Sequence, residues 1–144
     1  MSTERLQETL ARFMGSDAQH AIRTLGNDLL CTLPAERLLE AVQALAALPE
    51  YHHLSTITGV LGGDGVRVLY HFWLGRGVTL EVLCQKEGAD LPSLTPQMPA
   101  ADWYEREVHE MFGVQFVGHP NLTPLFLPDD WVEGPPMLAQ EEAG

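Results

Sequence analysis

Between positions 105 and 119 the chain places Glu105, Glu107, His109, Glu110 and His119. Carboxylates and imidazoles at that density are the residue types of a metal centre or of general acid–base catalysis. Their spacing argues against both. Di-metal helical sites use Glu-x-x-His from two helices, whereas here the spacing is Glu105-x-x-x-His109 and it occurs once. No H-E-x-x-H or G-x-S-x-G stretch is present. Gly62 to Gly65 joins two strand-like runs rather than a strand and a helix, so it does not make a phosphate loop. A small metal-dependent enzyme using His109, Glu110 and His119 stands as the alternative reading from a different class. His52, His53 and His71 read as hydrogen-bonded structural histidines.

The element that positions these residues is an amphipathic helix. Asp102, followed three positions later by Glu105, reads as a capping box, with Asp102 at the N-cap. Tyr104, Val108, Met111 and Phe112 fall at i, i+4, i+7 and i+8 and are expected to form one stripe. Arg106 stands four residues from both Asp102 and Glu110, the spacing of helical ion pairs. Gly113 supplies a left-handed stop. Val114 and Phe116 follow as apolar anchors, and Gly118-His119-Pro120 turns the chain. Five of the ten prolines lie between 120 and 136. A backbone stiffened in this way is best explained as an extended tail laid over another surface at low entropic cost.

Upstream, Leu6, Leu10 and Phe13 recur at helical spacing, and Thr3 is placed to cap a helix over 2–14. Asp28 to Leu33 reads as a first strand. Pro34 opens a second helix, lined by Leu38, Leu39, Val42, Leu45 and Ala46 and closed by Pro49. Three strands follow. The first runs from Leu54 to Leu61, the second alternates through Val66, Val68, Tyr70, Phe72 and Leu74, and the third through Val78, Leu80, Val82 and Cys84. Glycine turns at 62–65 and 75–77 make these an antiparallel meander. Lys86 to Pro99 reads as a loop, and Met137 to Gly144 as a frayed end. The expected fold is a two-layer α+β domain, an antiparallel sheet packed by helices, over residues 1–113. An extended proline-rich docking tail over 114–144 completes it.

A chain of 144 residues with 45% apolar content suffices for one domain with a real core. No apolar run approaches the roughly 20 residues of a membrane span, and Met-Ser-Thr-Glu-Arg has no signal pattern. A cytoplasmic chain is expected. Cys31 and Cys84 stand far apart, so they read as buried reduced thiols rather than cluster ligands. The net charge of −12 argues against nucleic-acid binding. From Ala101 onward nine acids face one base, so that segment carries −8 of the −12 and suits a basic partner.

Glu105-Arg106-Glu107 through Met111-Phe112-Gly113, then Phe116, Gly118-His119-Pro120 and Asn121-Leu122, resemble the signature of a known family. It is the 30 kDa subunit family of NADH–quinone oxidoreductase, respiratory complex I, whose member there is the C subunit. The family includes the related subunit of energy-converting membrane-bound [NiFe] hydrogenases. The resemblance covers about residues 28–131. Thr123-Pro124 stands where the family carries Arg, and Gly134 to Leu138 replaces a basic segment. The step Leu125 to Trp131 is similar to the hydrogenase branch.

The resemblance implies a non-catalytic peripheral-arm subunit without catalytic, cofactor or metal residues of its own, at the cytoplasmic side of the membrane. Its partners would be a hydrogenase-like large subunit (49 kDa type) and an iron–sulfur small subunit. Those partners would hold the iron–sulfur clusters and the nickel–iron or quinone chemistry. On this reading the docking residues are Tyr104, Glu105, Arg106, Glu107, Val108, Met111, Phe112, Phe116, Gly118, His119, Pro120 and Leu122.

Overall fold

The structure, a computed structural model, describes residues 3–14, 21–84, 90–122 and 135–136. Its elements in chain order are α1 (Thr3–Ala11), β1 (Ile22–Leu25), β2 (Asp28–Thr32), α2 (Leu38–Ala46), β3 (His53–Gly62), β4 (Gly65–Trp73), β5 (Gly77–Cys84), β6 (Asp90–Pro92), α3 (Ala101–Phe112) and β7 (Gln115–Val117). Five strands form one sheet in the order β1-β2-β5-β4-β3, and β6 pairs with β7. The expected α+β class is what the structure shows. The sheet is mixed rather than wholly antiparallel. β3, β4 and β5 follow one another through tight turns, as their alternation and glycines predict. β2 instead lies parallel to β5, with Leu29 opposite Val78 and Cys31 opposite Leu80. That register sets two buried rows side by side, and periodicity within either strand carries no information about it. β1, which has no alternating apolar row, forms by antiparallel pairing with β2 across a turn at Gly26, φ 65°.

The chain divides into two compact units. The first comprises Met1–Thr56 and Leu69–Val82. In it α1 packs on α2, and Leu6, Leu10, Leu38, Val42 and Leu45 are buried together with Leu29, Cys31, Tyr70, Phe72, Val78 and Leu80 of the strands. Each large side chain so buried contributes about 1.5–3 kcal/mol. Pro34 precedes a 3-10 turn over Ala35–Arg37 that leads into α2, as a proline at a helix entrance should. Arg76 donates to the Thr3 hydroxyl at 2.5 Å, and Asp28 accepts the Gly77 amide at 2.8 Å.

The second unit comprises Ile57–Val68 and Leu83–Gly144. Its buried residues include Ile57, Val66, Val68, Leu91, Leu94, Val108, Phe112, Val114 and Phe116. β6 runs parallel to β7 and sets Leu91 against Phe116. Gly59 is required by contact: a Cβ there would stand 2.5 Å from the Phe112 ring. The stretch 90–92, expected to be loop, is a strand because β7 gives its backbone a ladder. Residues 123–134 and 137–144, which hold most of the expected proline tail, its frayed end and the 125–131 step, lie outside the described residues.

Candidate functional site

α3 forms where its sequence favours helix, and it stops at Gly113, which is left-handed at φ 78° and donates its amide to the His109 carbonyl at 2.9 Å. The start differs from expectation. Ala100 is the N-cap, without a side-chain cap bond, and Asp102 lies inside the first turn. The capping box does not form: Ala100 stands at the N-cap, and Glu105 is engaged elsewhere.

Glu105 is fully buried. Its Oε1 accepts the hydroxyls of Ser93 and Thr95, each at 2.6 Å. Its Oε2 accepts the Leu94 amide at 2.8 Å. A buried carboxylate is tolerated when donors surround it in this way. One side chain thereby ties α3 to the segment at 93–95, whose Ser93 amide in turn donates to the Val117 carbonyl at 2.8 Å.

The buried stripe of α3 is Ala101, Glu105, Val108 and Phe112, with Glu110 also buried. It is rotated from the expected stripe: Val108 and Phe112 point inward, while Tyr104 and Met111 are half-exposed. The rotation follows from Glu105, a charged residue occupying a core position that a hydrophobicity pattern assigns to an apolar one.

At the corner, Gly118 is left-handed at φ 89°, and the His119 amide donates to the Phe116 carbonyl at 3.1 Å. The His119 side chain is 0% exposed. Its Nδ1 accepts the Asn121 amide at 2.9 Å, which places the ring proton on Nε2. That nitrogen lies 2.9 Å from Asp102 Oδ1 at an angle too poor for a hydrogen bond. The corner thereby lies beside the first turn of α3. His109 is directed elsewhere, its Nδ1 donating to the Val114 carbonyl at 2.8 Å.

The expected docking residues therefore separate into two sets. Glu105, Val108, Phe112, Phe116 and the ring of His119 are buried within the chain itself. Tyr104, Arg106, Met111 and Leu122 are half-exposed, and Glu107, Gly118 and Pro120 are exposed. Sequence reasoning missed Ser93 and Thr95, which no local pattern marks. Trp103, outside the expected set, is 51% exposed.

His109, Glu110 and His119 are not assembled as a ligand set, because both imidazoles are turned to separate partners. Among the described residues no group of three His, Cys, Asp or Glu side chains is placed to hold a metal ion. Cys31 and Cys84 are buried free thiols, and burial pushes each up to about 11. His71 Nδ1 lies 3.0 Å from the Thr79 hydroxyl, and burial lowers its pKa. It lines a groove of about 340 Å³ in the first unit with Leu25, Leu30, Leu69 and Trp73. Among the described residues no helix is long and apolar enough to cross a membrane.

Residues 31–143 match the family model for the respiratory-chain NADH dehydrogenase 30 Kd subunit. The C subunit of NADH-quinone oxidoreductase from Salinispora tropica is 39% identical over 118 residues, which is 76% of this chain and 48% of that protein. The corresponding C subunit from Roseiflexus castenholzii is 36% identical over 118 residues, 76% of this chain and 67% of that protein. The chain thus spans about half the length of the Salinispora relative. Among solved structures, the trypsin-resistant fragment (1-134) of Nqo5 superposes with a TM-score of 0.67 at 27% identity, over 84% of this chain and 99% of that one. A chain of the membrane-bound sulfane sulfur reductase, an archaeal respiratory membrane complex, shares the fold with a TM-score of 0.66 at 20% identity, over 93% of this chain and 78% of that one. With the signature run built into α3, β7 and the corner, and the family model spanning most of the sequence, the chain belongs to the respiratory-chain NADH dehydrogenase 30 kDa subunit family.

Proposed function

We propose that this chain is a non-catalytic peripheral subunit of a membrane-associated, complex I-like respiratory oxidoreductase. It docks on a hydrogenase-like large subunit of the 49 kDa type, beside an iron–sulfur small subunit, on the cytoplasmic side of the membrane. The iron–sulfur clusters and the quinone or nickel–iron chemistry belong to those partners. The observation that carries the reading is the use made of the signature run. Glu105 and His109 are engaged in holding α3 to the 93–95 segment and to Val114, and His119 in closing the corner, so the run builds a surface rather than a reaction centre. The contact is then made by what remains outward: Trp103, Tyr104, Arg106, Glu107 and Met111 of α3, and Gly118, Pro120 and Leu122 of the corner. The proline-rich tail beyond the corner extends that contact.

The relatives from NADH-quinone oxidoreductases favour the quinone branch, whereas the Leu125 to Trp131 step favours the energy-converting hydrogenase branch. Affinity capture of the tagged chain from its native host, followed by mass spectrometry, tests the proposal. The expected companions are a large and an iron–sulfur subunit. Two pairs of nickel-ligating cysteines in that large subunit would assign the complex to the hydrogenases, and their absence to quinone reduction. Recovery of the chain with no large subunit would refute the docking role.

A further inference from the structure

Along β1 the backbone groups alternate in direction. The Thr32 amide donates to the Ala21 carbonyl at 2.9 Å, and the register sets Ile22 opposite Cys31, Arg23 opposite Leu30 and Thr24 opposite Leu29. In an antiparallel ladder, hydrogen-bonded pairs alternate with non-bonded ones. Ala21 and Arg23 therefore turn their N–H and C=O groups to β2, and Ile22 and Thr24 turn theirs to the opposite side. Among the described residues no strand lies there, because β1 is an edge of the five-stranded sheet. The same edge borders a groove of about 410 Å³ within the first unit, lined by Ile22 and by Glu4, Gln7, Glu8 and Ala11 of α1. Among the described residues, the charged members of that lining are Glu4 and Glu8, four apart on one helix face. Both are exposed, and neither carboxylate has a partner among the described residues. The cations of the same two elements are directed elsewhere. Arg5 lies 4.0 Å from Glu50, Arg12 lies over the Phe13 ring, and Arg23 points to the other face of the sheet from Ile22.

We propose that this groove receives an extended segment of a partner subunit, which adds to β1 as a further strand and sets a lysine or arginine against Glu4 and Glu8. The inference goes beyond docking through α3 and concerns the first unit alone. An open edge is a template for another strand, and an extended backbone offers donors and acceptors at the spacing of Ile22 and Thr24. A helix laid in the groove would take water from those backbone groups and leave them without partners, which is costly. The acids set the charge of the segment. An apolar side chain against Glu4 and Glu8 would desolvate them without a counter-charge, and an acidic one is repelled. The chain's own C-terminal part does not supply the base, since no lysine or arginine follows Arg106. A second copy paired edge to edge would bring a second pair of acids to the same place, which is unfavourable.

The test compares amide hydrogen exchange in the isolated full-length chain and in the complex captured from the native host through a tag on that chain. In the isolated chain the Ile22 and Thr24 amides should exchange fast and the Arg23 amide slowly, because only the last is bonded to β2. In the complex, exchange at Ile22 and Thr24 should slow by about tenfold or more, with little change at Arg23. Glu4→Gln combined with Glu8→Gln should reverse most of that slowing. Thr24→Pro removes an outward N–H without touching the β2 ladder. It should abolish the slowing at Ile22 while the isolated chain keeps a thermal midpoint near wild type. Unchanged exchange at Ile22 and Thr24 in a complex that holds the large subunit would overturn the proposal and leave docking through α3 standing. Equal slowing at Arg23 would describe a tightened hairpin rather than an added strand, and would also overturn it. So would slowing that appears in the isolated chain as its concentration rises, which assigns the edge to a second copy. Full slowing in the double glutamine variant would refute the basic character of the segment. Recovery of the chain without any companion would remove this inference and the docking role together.

Discussion

The Glu105 carboxylate accepts the Leu94 amide at 2.8 Å in the interior of the chain, eleven residues from its own position. With the Ser93 and Thr95 hydroxyls on its other oxygen, it is the polar centre around which the second unit is organised. Glu105→Ala leaves a buried backbone donor without an acceptor, and a loss of about 3 kcal/mol is expected. Glu105→Gln keeps one acceptor oxygen, and the two hydroxyls can rotate to meet its amide. It should cost about 1 kcal/mol. Urea unfolding of the two variants checks the order, and equal losses would contradict the assigned hydrogen bonds.

Gly59 and Phe112 make a second local test. A methyl at Gly59 meets the ring at 2.5 Å, so the ring must leave its packed position. Gly59→Ala should destabilise by about 1–3 kcal/mol, as overpacking does. Gly59→Ala combined with Phe112→Leu should lose less than the sum of the two single changes, because the shorter side chain makes room.

The two thiols should be inert in the native state. Burial raises Cys31 and Cys84 from 9.0 to about 11, so at pH 8 the reactive thiolate is scarce and shielded. Labelling by a thiol reagent is expected to follow unfolding. The linkage sign is that of a raised pKa. The stability contribution is complete below pH 9 and is lost as pH rises through about 11. Cys31→Ala with Cys84→Ala should flatten that alkaline limb. Rapid native labelling at pH 8 would contradict the burial.

His71 should shape the acid limb. Burial holds its pKa below the ordinary 6.5, so the unfolded chain binds the proton more readily than the folded one. Its neutral form is favoured by folding, and stability is complete above pH 6.5 and declines as pH falls below it. His71→Gln should reduce the change in thermal midpoint between pH 7 and pH 5. An unchanged slope would mean that His71 does not titrate differently in the two states.

Much of the fold was legible in local pattern. The strand alternation through Val66–Leu74 and Val78–Cys84, the turns between those runs and the glycine stop at Gly113 all appear where spacing and φ requirements put them. The candidate site was legible as a location but not as an arrangement. Asp102 and Glu105 have the spacing of a cap, and a cap is the local solution. The tertiary structure supplies better donors to Glu105 from 93–95, and those partners outcompete the cap. β6 and β7 were missed for the same reason, since three-residue strands have no periodicity of their own and exist only as a pair.

The sequence by itself determined the elements, because helix and strand periods, chain-breaking glycines and prolines act over a few residues. It also determined the family, because the signature run is long and specific. Tertiary structure alone decided that β2 enters parallel to β5, that α3 turns a carboxylate inward and a tryptophan outward, and that His109 and His119 turn to separate backbone partners at Val114 and Asn121. Each of those outcomes depends on donors, acceptors and apolar rows brought together from distant positions. Their energies exist only once the chain has closed, so no window of sequence contains them.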